Sequence, residues 1–89
     1  MAKVNILIKL LPKDPSKGFE QTLKEIKEKS KSLGYEFMDS KEEYVAFGIK
    51  NLYVLISVDE EQSSLEQIEK KFSSLDNVSS IEFVRISRT

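Results

Sequence analysis

The sequence predicts an α+β sandwich: one antiparallel sheet of four strands with two helices on one face, in the order βαββαβ. Three observations predict it. Two segments carry apolar residues at helical spacing, four carry extended apolar patterns, and each helix sits between two strands. Two βαβ units with right-handed crossovers interlock as one antiparallel sheet with both helices on the same side. That arrangement is the ferredoxin-like sandwich.

The first strand is read from Val4, Ile6, Ile8 and Leu10, which alternate with Asn5, Leu7, Lys9 and Leu11. Period-two spacing of β-branched residues marks a strand with the Val4 face inward. Pro12 and Pro15 end it, and Asp14 before Pro15, or equally Ser16, is expected to cap the first helix. Phe19, Leu23, Ile26 and Leu33, with Ser30 in the remaining slot, form one face of a 3.6-period helix closed by Gly34. The charges from Glu20 to Lys31 are its solvated side.

Phe37 and Tyr44-Val45 place a second strand within Tyr35 to Val45, interrupted by the polar stretch Asp39 to Glu43. Leu52 to Val58 is a continuous apolar run, as expected of a central strand. Asp59 to Gln62 reads as a polar loop. Ser63 or Ser64, each with Glu or Gln three residues later, opens the second helix in a capping box. Leu65, Ile68, Phe72 and Leu75 are its inward stripe, Asp76-Asn77 a turn, and Val78 to Ile86 the last strand. Both helices are expected to cover Val4, Ile6, Ile8, Leu52, Val54, Ile56 and one face of the last strand. The uncovered face would carry Leu7, Tyr53, Leu55, Val84 and Ile86, an apolar surface that either meets a partner or is shielded by long side chains.

Composition narrows the function. The chain has 89 residues, 39% hydrophobic and 33% charged, which is the range of one soluble globular domain spanning residues 1–89. Such a domain buries roughly 60–68% of its unfolded surface. The net charge of −1 lacks the basic excess from which nucleic-acid binders draw affinity. The absence of histidine and cysteine excludes thiol nucleophiles, Cys/His zinc sites, disulfides and histidine acid–base catalysis. No apolar run approaches a membrane span and no signal-peptide pattern opens the chain, so a cytoplasmic protein is expected.

Enzyme motifs are missing too. There is no glycine-rich phosphate loop, nucleophile elbow or metal-spaced cluster. Glu42-Glu43 and Asp59-Glu60-Glu61 read as solvated loop charges. Tyr44 to Gly48 matches the basic-Gly-aromatic segment of RNA-binding sheets only loosely: the leading basic-Gly pair is absent and two glutamates precede it.

The segment Ala46-Phe47-Gly48-Ile49-Lys50 is different. A glycine follows an aromatic residue where two strands join, and a basic residue comes two positions later. Glycine permits a tight or left-handed bend there and leaves the neighbouring ring unshielded. Spacing alone leaves Phe47 between two places, folded inward as a core aromatic or turned outward as a contact.

Val45 to Leu52, followed by a hydrophobic strand, Asp59-Glu60-Glu61 and a Ser-Leu helix start, resembles the exchange domain of the translation elongation factor 1-beta family. The similarity spans essentially the full chain in length and element order. It is most specific in Phe-Gly-Ile-Lys-x-Leu and the acidic loop, and the size resembles the archaeal form. The resemblance implies a guanine-nucleotide exchange factor. Such a factor binds the GDP form of elongation factor 1-alpha and releases its nucleotide, so that GTP enters and aminoacyl-tRNA is carried again. It implies that Phe47, beside Gly48 and Lys50, inserts into a pocket on the GTPase. It also implies that a basic residue near the C-terminus reaches toward the magnesium and phosphate site, with Arg88 the best positional match. The eukaryotic pattern has lysine there; arginine keeps the charge but is a planar fork, and Arg85 is an alternative carrier.

On this reading the protein is no enzyme. It is expected to need no catalytic side chain, metal or cofactor, to touch neither nucleic acid nor membrane directly, and to act as a monomer. The competing expectations are a ferredoxin-like RNA-binding or ribosome-associated module, and a small-ligand regulatory domain that dimerises through its sheet.

Overall fold

Four strands and two helices appear in the expected order in the computed structural model, which describes residues 2–88 apart from the side chain of Gln62. They are β1 (Lys3–Pro12), α1 (Glu20–Leu33), β2 (Glu36–Ala46), β3 (Ile49–Asp59), α2 (Leu65–Phe72) and β4 (Val78–Arg88), with a short 3-10 turn at Glu60–Gln62. The sheet order is β2-β3-β1-β4, and β1 pairs antiparallel to both neighbours. This is the ferredoxin-like α+β fold.

The core follows from β-strand alternation. Val4, Ile6, Ile8 and Leu10 are buried in β1, and the register sets Ile6 opposite Ile56, Ile8 opposite Val54 and Leu10 opposite Leu52. Side chains on paired residues point to the same face, so these rungs form one apolar floor. Phe19, Ile26, Ile68 and Phe72 close over it, all buried, with the Tyr35 ring edge-on to Phe72 at 6.4 Å. Each such side chain contributes roughly 1.5–3 kcal/mol on burial. Ser30 faces inward with α1, and its buried hydroxyl has no hydrogen-bond partner among the described residues.

Several boundaries differ from those expected. Helix α1 starts at Glu20, later than a cap at Asp14 or Ser16 would place it. The Asp14 carboxylate instead accepts bonds from the Ser16 amide (3.0 Å) and hydroxyl (2.7 Å), which closes a local Asx turn before any helix begins. The capping box of α2 does not form. Ser64 sits at the cap position without a side-chain bond, and the Ser63 hydroxyl donates to the Glu60 carbonyl. Leu75 is buried but lies past the end of α2.

Strand β2 runs unbroken through Asp39 to Glu43, because an edge strand exposed to water tolerates polar side chains. Strand β3 begins at Ile49, before the expected Leu52. Val84 and Ile86 do not lie together on the open face. The pairing shifts between Leu7–Arg85 and Ile8–Phe83, which leaves Val84 at a bulge and returns Ile86 to the same side as Ile6, half exposed.

At one end of the sheet a polar knot joins the β1–α1 loop to the turn before β4. Asn77 is buried with φ +57°. Its Oδ1 accepts the Asp14 amide at 2.7 Å, and its Nδ2 donates to the carbonyls of Asp14 and Lys17. The Thr22 hydroxyl donates to the Asp76 carbonyl at 2.7 Å. Asparagine suits this place twice over, since it tolerates the left-handed region and carries both donor and acceptor. Asn77→Ala should therefore lower unfolding free energy by about 2–4 kcal/mol in a urea titration, from the stranded buried groups and the strain. A loss under about 0.5 kcal/mol would show that water replaces these bonds.

Candidate partner-binding hairpin

The longest dimension of the molecule, 43 Å against 22 and 20 Å, lies in keeping with strands of ten and eleven residues. Strands β2 and β3 pair antiparallel along their lengths, through Glu42–Leu52 and Tyr44–Lys50 to Ala46–Ile49. The last of these rungs lie beyond Leu10–Leu52, the final β1–β3 pair, so the hairpin end extends past β1. From Lys41 to Gly48 every residue is exposed.

Only Phe47 and Gly48 remain to turn the chain. Both have positive φ, +53° and +77°. Positive φ at both central residues is the signature of a type I′ turn, whose twist matches the strands it joins. Glycine accepts this region freely, and a methyl group at Gly48 would meet no atom within 4 Å, so its backbone freedom is what the turn uses. Phenylalanine does not accept it freely. A bulky residue held left-handed costs on the order of 1–3 kcal/mol, and asparagine is the residue usually found there.

That cost is not recovered by packing. Phe47 is 101% exposed, fully in water. The structure therefore resolves the choice left open by spacing: the ring points outward. Tyr44 and Val45 stand beside it at 67% and 57% exposure. The Lys50 ammonium lies 5.6 Å from the centroid of the Tyr44 ring, a cation–π contact across the last regular rung before the turn. The hairpin end is thus an apolar tip of three side chains with a braced base.

A cleft of about 300 Å³ separates the hairpin from the β1–α1 loop, with Glu42, Gly48 and Lys50 on one side and Pro15, Lys17 and Phe19 among those on the other. Lys17 is tied to Asp76 at 2.8 Å, and that hydrogen-bonded partner raises its ammonium above the ordinary lysine range. Among the described residues no group of three or more His, Cys, Asp or Glu side chains is placed to hold a metal ion. No described helix is long and apolar enough to cross a membrane.

The sequence profile described as the EF-1 guanine nucleotide exchange domain matches residues 5–89. The chain belongs to this family. It is 33% identical over 89 residues to elongation factor 1-beta of Aeropyrum pernix, covering 99% of this chain and 98% of the relative. It is 31% identical to elongation factor 1-beta of Methanococcus maripaludis over 90 residues, with 98% of each chain covered. Identity to elongation factor 1-beta of Methanocaldococcus jannaschii is 31% over 87 residues, again with 98% of each covered. The family's role is nucleotide exchange in elongation.

Within this exchange domain the residues singled out from the sequence do not form one cluster. Phe47, Gly48 and Lys50 share the hairpin end. Arg88 pairs with Val4 at the opposite end of the sheet, next to the 3-10 turn after β3. The length of β3 separates the two ends by about 35 Å at roughly 3.4 Å per residue. Arg85 pairs with Leu7 and Arg88 with Val4, so the two arginines project from opposite faces of the sheet. Arg88 forms an ion pair with Glu60.

Tyr44, Val45 and Glu60 are not among the contact residues that the sequence resemblance implies. Tyr44 and Val45 read as ordinary strand residues, although their place just before a Phe-Gly turn on an edge strand signals exposure. The pairing of Glu60 with Arg88, 28 residues apart, has no local signal.

If Phe47 is strained for contact, replacing it by the residue the turn prefers should stabilise the free domain. Phe47→Asn is expected to raise the melting temperature by about 4–8 °C in a circular-dichroism scan, corresponding to about 1 kcal/mol relieved. An unchanged or lowered melting temperature would mean that the ring is held by the domain itself.

Proposed function

We propose that this protein acts on elongation factor 1-alpha, accelerating GDP release so that GTP enters and the form that carries aminoacyl-tRNA is restored. The observation that carries this reading is a fully exposed phenyl ring on a two-residue turn that disfavours it. Strain without an internal compensation points to an external contact. The family supplies the kind of contact, and Phe47 is the anchor, with Tyr44 and Val45 as its apolar rim and Gly48 and Lys50 shaping the tip.

The mechanism requires no bond to form or break in the nucleotide. Exchange factor and nucleotide weaken each other's binding by the same factor, because coupling between two sites is reciprocal. Burial of the Phe47 ring supplies roughly 1.5–3 kcal/mol toward the complex. The two-residue turn already fixes the Phe47 backbone, so only the side chain is left to order on contact. We assign to Arg88, at the far end, the part of perturbing the magnesium and phosphate site, which requires the GTPase to span the domain and meet both ends. Arg85 projects from the other face of the sheet and is not available to the same surface. The factor works in the cytoplasm as a monomer.

The open sheet face gives the RNA-binding reading little support. Around Leu7, Tyr53 and Leu55 it sets Lys9, Lys41 and Arg85 among Asp39, Glu43 and Glu82, a balance that offers phosphates no net attraction.

A catalytic amount of the protein should accelerate release of fluorescent GDP from the cognate elongation factor 1-alpha. Phe47→Ala should weaken that effect about tenfold or more, as loss of one ring's burial implies, while leaving the fold intact by circular dichroism. Unaltered GDP release with the wild-type protein would overturn the proposal.

A further inference from the structure

We infer that Glu60 is a positioning residue for Arg88, holding the guanidinium in the orientation in which it is delivered to the partner. The inference rests on the role proposed above for Arg88. It also gives the acidic run Asp59-Glu60-Glu61 a use that solvated loop charges would not have.

The geometry is asymmetric. Glu60 is fixed through its backbone: its amide donates to the Ala2 carbonyl at 3.2 Å, and its carbonyl accepts the Ser63 amide at 3.3 Å and hydroxyl at 2.7 Å. The turn is thereby tied to the start of β1 on one side and to the approach to α2 on the other. Arg88 lies at the end of β4, an edge strand, with its side chain 75% exposed. The Glu60 side chain is 40% exposed. Val4 pairs with both Arg88 and Val58, so the contact crosses β1 from one neighbouring strand to the end of the other. An anchored carboxylate therefore restrains a long side chain that has many rotamers to lose.

The chemistry of the contact suits presentation better than storage. It joins Nη2 of Arg88 to a single carboxylate oxygen of Glu60. A guanidinium carries five N–H donors in a planar fork, so one nitrogen oriented by Glu60 leaves the rest of the fork to meet phosphate oxygens. The pair is exposed, and exposed ion pairs are weak. A doubly charged phosphate group can share the guanidinium without having to break a strong internal bond. Of the three consecutive carboxylates, Glu60 is the one that reaches Arg88.

The test is a double-mutant cycle read by GDP release from elongation factor 1-alpha, at saturating and at half-saturating protein. Glu60→Gln keeps the shape and removes the charge. It should lower the maximal release rate about two- to fivefold, the range set by an exposed ion pair, with the half-saturating concentration unchanged because the hairpin tip is untouched. Arg88→Ala should lower the maximal rate at least as much, and Glu60→Gln should add nothing in the Arg88→Ala background. Side-chain relaxation of the Arg88 guanidinium by nitrogen NMR should show increased motion in free Glu60→Gln, with an unchanged melting temperature. A faster rate in Glu60→Gln would show that Glu60 restrains Arg88 from acting, and additive effects would show that the two act separately; either overturns the inference. If Arg88→Ala is slow and Glu60→Gln is not, only the positioning role falls. If Arg88→Ala matches wild type, the role of Arg88 itself falls and takes this inference with it.

Discussion

The two-residue reversal at Phe47 and Gly48 is the constraint on which the outward features of this domain depend. Strands β2 and β3 stay paired to Ala46–Ile49, across a shift at Val45, so only two residues remain to turn the chain, and both enter the left-handed region. Glycine does so at no steric cost; phenylalanine does not. With a longer loop the ring would find a relaxed conformation and could fold back on the sheet. The short loop denies it that choice and holds it in water. Strain and exposure then have a single origin, the length of the loop.

The rest of the architecture holds that hairpin still at its base. The shared rungs of β1 and β3 bury the continuous apolar floor, and Leu10–Leu52 is the last of them before the hairpin passes beyond β1. Beyond that point Asn51 is the one buried side chain among the described hairpin residues. Stability near the tip comes from backbone pairing and from local contacts such as Lys50 on the Tyr44 ring. The Asn77 knot fixes the β1–α1 loop that forms the other wall of the cleft beside the hairpin. The opposite end is organised by different means, with the approach to β1 and the end of β4 meeting the Glu60 turn: Ala2 through its backbone and Arg88 through its side chain.

How much of this is legible in the sequence depends on the range of the interaction concerned. The alternation in β1, the stripes of α1 and α2 and the order of elements are local or periodic signals, and each is realised. Boundaries set by tertiary pairing are not. Asp14 has the look of a helix cap, but Asn77, 63 residues away, captures its backbone, while its own carboxylate turns back on Ser16. The parity of β4 changes at the bulge around Val84, which no spacing rule reveals and which moves Ile86 off the open face. At the site, Phe-Gly marks a bend by glycine chemistry alone. The direction of the ring requires knowing that the loop has two residues, which in turn requires the β2–β3 register. The link between Glu60 and Arg88 depends on three strands lying side by side, and no short segment encodes it.

The central claim is that the hairpin tip, rather than the open sheet face, meets the GTPase. Hydrogen–deuterium exchange of the protein, alone and with GDP-bound elongation factor 1-alpha, tests it most directly. Slowed exchange is expected in residues 44–50 on binding, with the central rungs around Leu7, Tyr53 and Leu55 unchanged. Slowed exchange across those rungs, with residues 44–50 exchanging as they do in the free protein, would contradict it.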